Sequence, residues 1–198
     1  MRPVRYMAPW IAGLIALGCR GTPEGFVPLA DGMKLVYDVE YVTGLGGVQR
    51  AEAIQRVDGT RNIGGHEYFR VVLVVRGMPG WEPEVVYQRM AEEGLREVRY
   101  VDGKPVEYLL LPAPLKVGQT WQVDMAKMNF ACKVEAHEPA ILPEKTYEDA
   151  YRVACSGSRG PLFFKNYTYW ANGVGTVKLV QEAGAIKMEM RLREVEWE

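Results

Sequence analysis

The chain has little of what metal and acid–base sites are built from. It carries two histidines, His66 and His137, and three cysteines in 198 residues. It has no His-Glu-x-x-His motif and no closely spaced set of His, Cys and Asp of the kind zinc sites use. It lacks a charge excess: 24 Lys and Arg stand against 25 Asp and Glu, and no basic run is interleaved with aromatics. That excludes nucleic acid as a natural partner. It lacks any apolar stretch of about 20 residues, the length a membrane-spanning helix needs. No segment of helical length shows a 3.6-residue apolar repeat. Gly157-Ser158-Arg159-Gly160 is no nucleophile elbow, because Ser156 stands where that motif needs glycine, and it reads as the turn after the Cys155 strand. Gly44-Leu45-Gly46-Gly47 has neither the spacing nor the following helix of a phosphate-binding loop. These absences point away from an enzyme and imply no metal and no cofactor.

The N-terminus is where the sequence becomes specific. Arg2 and Arg5 precede an apolar run from Met7 to Leu17, interrupted only by Pro9, and Gly18 precedes Cys19. A basic start, about 7–15 apolar residues and a small residue before the cut make a secretory signal. With Cys19 next, the layout resembles a bacterial lipoprotein signal. It implies removal of residues 1–18 and lipidation of Cys19 with palmitate-like acyl chains that anchor the protein to a membrane. Two or three chains hold far more firmly than one, at about 0.8 kcal/mol per buried methylene. Residues 19–25, with Gly and Pro, read as a tether, and residues 26–198 as one domain. Without Arg2 and Arg5, 22 basic residues face 25 acidic ones, a net charge of −3. The implied location is the cell envelope. Arg20, where an Asp would signal inner-membrane retention, favours the periplasmic face of the outer membrane.

The remaining cysteines, Cys132 and Cys155, are an even number in an oxidising compartment, where a disulfide is the default. Folding the chain symmetrically about Pro143-Glu144 puts Cys132 opposite Cys155 and Val134 opposite Val153. An antiparallel pair brings such side chains close enough to bridge.

Period-two alternation dominates the domain. Leu35, Tyr37, Val39 and Tyr41 share one face of a strand, with Asp38 and Glu40 on the other. Asp58-Gly59 reads as a hairpin turn, Tyr68 to Val75 as a strand buried on both faces, and Glu84–Val101 as a hairpin about Glu93-Gly94. Gln119–Lys127 and Asn129–His137 read as one long bent strand. Further strands follow over 147–156, 163–170, 175–181 and 186–196. The fold class is all-β: an antiparallel meander of about ten strands, curled into a partly closed barrel or folded as a sandwich. Pro28-Leu29-Ala30-Asp31-Gly32 and Pro114-Leu115-Lys116-Val117-Gly118 echo one another, marking either two similar half-sheets or a shared turn.

Three segments carry a family resemblance: Phe26 to Gly32 followed by Tyr37, Pro114 to Trp121, and Tyr167 to Lys178 (YTYWANGVGTVK). They resemble the TapB-like group of bacterial envelope proteins, a domain family of unknown function. That group has a Pro-Leu entry to a strand and, near its C-terminus, an aromatic pair before a Gly-Val-Gly turn. Tyr169 and Trp170 fill the pair here. The resemblance implies an exported β-domain and supplies no catalytic residues. Physically, Gly173 and Gly175 permit positive φ, and Trp121, Tyr169 and Trp170 bring large apolar areas with polar tips.

Trp81, Leu110, Trp121 and Trp170 are the candidate ligand or partner surface. The leading expectation is a non-enzymatic lipoprotein whose domain binds an envelope protein or assembles with it. The alternative is a carrier that holds a lipid or another hydrophobic ligand inside the curved sheet. A filled interior favours the first; an open apolar cavity of several hundred Å³, in order of magnitude, favours the second.

Overall fold

The computed structural model describes residues 27–42, 47–78, 81–124, 129–159 and 162–197. Cys19, the signal and the tether lie outside them. The described residues form β1 (Met33–Val42), β2 (Val48–Ile63), β3 (His66–Arg76), β4 (Glu84–Ala91), β5 (Gly94–Val101), β6 (Lys104–Pro112) and β7 (Thr120–Asp124). Then come β8 (Asn129–His137), β9 (Ala140–Ile141), β10 (Thr146–Tyr147), β11 (Ala150–Arg159), β12 (Leu162–Ala171), β13 (Gly175–Ala183) and β14 (Ile186–Trp197). The fold is all-β, as the alternation predicts.

Twelve strands make one antiparallel sheet in the order β6-β5-β4-β3-β2-β1-β14-β13-β12-β11-β8-β7, and β9 with β10 forms a small hairpin. The sheet curls into a nearly closed barrel. The ring is joined at one place by the ladder between β1 and β14, which runs from Met33 opposite Trp197 to Val42 opposite Lys187. At the other, β6 lies near β7 with no ladder between them. Side chains fill that seam: Tyr108 of β6 shares a buried cluster with Val123 of β7 and Phe130 and Cys132 of β8.

Register sets the interior. Leu35 faces Gln55 and Tyr37 faces Ala53 on β2, while Val57 faces Val71 and Ala53 faces Val75 on β3. The inward rows of β1, β2, β3, β13 and β14 meet in one core with Val134, Val153, Val177, Met188, Met190 and Leu192. Full burial of each aliphatic side chain contributes about 1.5–3 kcal/mol. Tyr37 is 1% exposed, and its hydroxyl donates to the Thr176 carbonyl at 3.0 Å. A buried phenol without that acceptor would be costly.

The Pro-Leu echo is a real structural repeat. Gly32 N donates to Val57 O at 3.2 Å and Met33 N to Ala30 O at 3.1 Å; Gly118 N donates to Val134 O at 2.8 Å and Gln119 N to Lys116 O at 2.9 Å. Both glycines have positive φ, 79° and 88°. Leu29 and Leu115 are buried at equivalent places, ahead of β1 and β7. With β9 and β10 set aside, each half of the chain is a six-stranded meander.

The main sheet has twelve strands, against the roughly ten expected from the sequence. Three expectations are corrected. Asp58-Gly59 is no hairpin turn but an irregularity inside β2, where the register against β3 shifts between Val57 and Thr60. Gly59 N donates there to Asp31 Oδ1 at 2.7 Å, and the chain reverses instead at Gly64-Gly65. The stretch read as one bent strand over 119–137 is the hairpin β7–β8, with Trp121 opposite Cys132. Gly157 is not in a turn but in β11, where a Cβ would meet Asn129 O at 2.5 Å.

Candidate functional site

A cavity of about 290 Å³ lies inside the barrel. Leu29 and Val27 come from the segment before β1, and Gln88, Glu97 and Leu110 from β4, β5 and β6. Asn166, Thr168 and Trp170 of β12 and Leu179 of β13 complete the opposite wall. The lining is therefore mixed, apolar over much of its area with amide and hydroxyl groups set into it. A second cavity of about 120 Å³ shares Leu110, Asn166, Thr168 and Trp170 with the first and extends to Val123, Phe130 and the disulfide.

One wall of the larger cavity is a buried polar cluster. Glu97 is 3% exposed and Gln88 8%. Gln88 Nε2 donates to Glu97 Oε2 at 2.7 Å, while Arg99 Nε donates at 2.7 Å to both Glu97 Oε1 and the Tyr108 hydroxyl oxygen. Tyr108 donates to the same carboxylate oxygen, and Arg99 also pairs with Glu84. Register brings them together: Gln88 faces Glu97 across β4–β5, and Glu97 faces Tyr108 across β5–β6. Burial raises the Tyr108 phenol well above the usual range, and the Glu97 charge adds to it. Burial acts to lower the Arg99 guanidinium, but Glu97, Tyr108 and Glu84 outweigh it and hold the group charged. The carboxylate's oxygens are committed to protein donors, so Glu97 organises the wall and is not a free base.

The opposite wall is different. Asn166 Oδ1 is buried and has no hydrogen-bond partner among the described residues. Such a group costs about 1–3 kcal/mol when left unmade. The Asn166 residue lines both cavities.

The candidate residues do not gather on one outer surface. Leu110 and Trp170 face inward and line both cavities, half-buried. Trp121 also packs against the core, with its indole nitrogen buried and unpartnered among the described residues, beside a groove of about 590 Å³ near Lys133 and Lys165. Trp81 is 38% exposed in the connection between β3 and β4 and shares none of these cavities. The reason is parity: Trp121 faces Cys132, and Trp170 faces Tyr151 and Thr176, all on inward rows.

The disulfide joins Cys132 to Cys155, with Cα atoms 4.1 Å apart. Val153 faces Val134, Ile141 faces Thr146, and Cys155 faces Cys132. The symmetry about Pro143-Glu144 thus holds over β8–β11, apart from a one-residue shift at Arg152. Both histidines are exposed; His137 Nε2 lies 2.7 Å from Asp149 Oδ1 and its ring stacks on Tyr151. Among the described residues no group of three or more His, Cys, Asp or Glu is placed to hold a metal.

The sequence gives no sign of Glu97 as an inward residue. In Leu95-Arg96-Glu97-Val98-Arg99 the alternation is inverted: Glu97 and Arg99 face the interior, and Val98, 1% exposed, faces outward. Val98 is covered by an outer cluster with Tyr68 and Tyr87. Arg89 stacks over the Tyr68 ring at 5.3 Å, and Arg61 over Tyr87 at 5.6 Å.

No protein-family model matches the sequence, and no curated relative does. Two solved structures are similar. One is a protein designated as exported, with a YmcC-like fold, from Bacteroides fragilis: TM-score 0.55, 11% identity, covering 87% of this chain and 99% of that one. The other is a protein designated a lipoprotein from Parabacteroides distasonis: TM-score 0.55, 12% identity, with the same coverages of 87% and 99%. Neither carries the TapB name. At that identity the likeness is one of fold alone.

Proposed function

We propose that this chain is a lipid-anchored envelope protein that binds a small amphipathic molecule inside its barrel and performs no catalysis. The observation that carries the reading is the interior cavity of about 290 Å³, lined by Asn166, whose buried Oδ1 has no hydrogen-bond partner among the described residues. Its size is near the lower end of the roughly 300–1,000 Å³ usual for small-molecule sites. A ligand with an apolar body and one hydrogen-bond donor satisfies both features. Leu29, Leu110, Trp170 and Leu179 would cover the body, and Asn166 would accept the donor. The interior thus favours the carrier over the partner-binding module.

The anchor and location rest on the sequence around Cys19 and on the exported and lipoprotein designations of the two similar structures. Membership of the TapB-like group rests on the three quoted segments, and the outer-membrane placement on Arg20.

The test is titration with N-phenyl-1-naphthylamine, an apolar probe with one N–H donor that brightens on leaving water. The wild type is expected to bind it, and Leu110→Trp, which fills the cavity, to lose it by about tenfold or more. Equal brightening with both proteins refutes the interior site. Native mass spectrometry of protein extracted gently from its own membranes then asks which natural mass travels with it.

A further inference from the structure

We infer that the unpaired seam between β6 and β7 is the entrance to this cavity. The inference rests on the ligand-binding reading above.

Five observations converge. First, the two halves of the chain are equivalent meanders, so the ring has two equivalent junctions. One, β1–β14, is a full ladder, and the other, β6–β7, has none. Second, the cavity leads to the unpaired junction. The larger cavity includes Leu110 of β6, and the smaller one continues from Leu110 to Val123 of β7 and Phe130 of β8. Third, among the described residues side chains close the wall there, with no ladder. Tyr108, Val123 and Phe130 pack in one cluster, and such a contact can part without breaking a backbone ladder. Fourth, β6 is poorly equipped to pair. Pro105 and Pro112 have no N–H to donate, and β7 spans only Thr120–Asp124. Fifth, the wall behind the seam is pinned. The disulfide ties β8 to β11, so parting is confined to the seam itself.

Packed side chains also occupy the ends of the barrel. Leu29, Leu115 and Leu142 are buried, from the segments ahead of β1 and β7 and the chain beside β9, and they stopper one end of the barrel. Towards the other end the interior beside β1 and β14 is filled by Val39, Ala53, Val75, Met188 and Met190. A ligand crossing the seam meets Leu110 first and then Asn166, so its apolar body and its donor are engaged in that order.

The experiment locks the seam from outside. Leu109 faces Arg96 and Gln122 faces Ala131, both on outward rows that line neither interior cavity. In L109C/Q122C the two new thiols are joined by dibromobimane, a short reagent that fluoresces when it bridges two thiols and leaves the native disulfide intact. Binding of N-phenyl-1-naphthylamine is followed by stopped flow. Bridging is expected to slow association and dissociation together by about tenfold or more, with Kd changed by less than about threefold. The unbridged double variant should behave as wild type. Unchanged rates in the bridged protein overturn the entrance and leave the cavity standing. Failure of the wild type to bind the probe overturns both. Hydrogen exchange on the wild type gives an independent reading. Amides of β6 and β7 are expected to exchange about tenfold or more faster than those of β1 and β14. Equal protection overturns the inference whatever the bridging shows.

Discussion

Replacing Glu97 by leucine tests the polar wall more sharply than any other change. The carboxylate accepts from Gln88, Arg99 and Tyr108 and is 3% exposed. Glu97→Leu removes these acceptors at nearly constant volume. The Arg99 guanidinium loses its buried partner, and the Gln88 amide and the Tyr108 proton lose their acceptors. Breaking one side of a buried pair costs about 3–5 kcal/mol. Arg99 keeps Glu84, and its side chain is 36% exposed, so the loss should fall near about 3 kcal/mol. For a domain of this size that lowers Tm by roughly 6–12 °C. Removing both charges gives the decisive comparison. Glu97→Leu/Arg99→Leu leaves no stranded guanidinium and should recover most of the loss, ending within about 1 kcal/mol of wild type apart from the unmet Gln88 and Tyr108 groups. The assay is urea unfolding followed by circular dichroism on the four proteins of the cycle. A single variant that costs less than about 1 kcal/mol, or a double variant as unstable as the sum of the singles, refutes this account of the wall.

The disulfide closes a separation of 23 residues, so reducing it should cost about 3 kcal/mol in the chain-entropy account, read as a lower urea midpoint. Gly94 has φ of +136°, and a Cβ there would lie 2.2 Å from Leu111 O; Gly94→Ala should cost more than about 3 kcal/mol, and a stable folded variant would contradict the β5–β6 geometry. Burial tends to raise the Glu107 and Glu189 carboxyls, but bonds from Tyr68 and Arg89, and from Lys178, outweigh it and hold both below the ordinary range. Their folded pKa values are depressed, so the stability they contribute is full above the ordinary carboxylate pKa of about 4.3 and is lost as pH falls through the lower folded values. Glu107→Gln/Glu189→Gln should therefore lose stability less steeply than wild type between about pH 5 and pH 3, and parallel acid curves would refute it.

The strands were legible because most of them bury one face, and burial writes itself as alternation. Leu35, Tyr37 and Val39 are inward, as their spacing says, and the Cys132–Cys155 register follows from arithmetic about one turn. Asp58-Gly59 misleads because its turn chemistry serves an irregularity: Gly59 takes positive φ and bonds to Asp31 while the strand continues. The candidate site was half legible. Leu110 and Trp170 stand out as large apolar residues near prolines and glycines, but sequence cannot say that they face a cavity. Glu97 was hidden for a physical reason: β5 carries its charges inward, and its apolar Val98 is roofed by aromatic and arginine side chains. Alternation reports that two faces differ, not which of them is the inside.

The ladder between the first strand and the last has a consequence for how the molecule comes together. Nearly every other pairing joins neighbours in the chain, so those hairpins can form locally. β1 and β14 are the exception: Lys34 pairs with Glu196 across 162 residues, and Arg193 reaches back to Asp38 and Glu52. The entropic cost of that meeting grows only with the logarithm of the chain between, but it must be met before the reward arrives. Until β14 emerges, a nascent chain would therefore hold two separate meanders, with β1 and β13 as bare edges in addition to β6 and β7. In that interval its exposure to wrong partners is greatest, and β14 is the strand that covers the edges of β1 and β13.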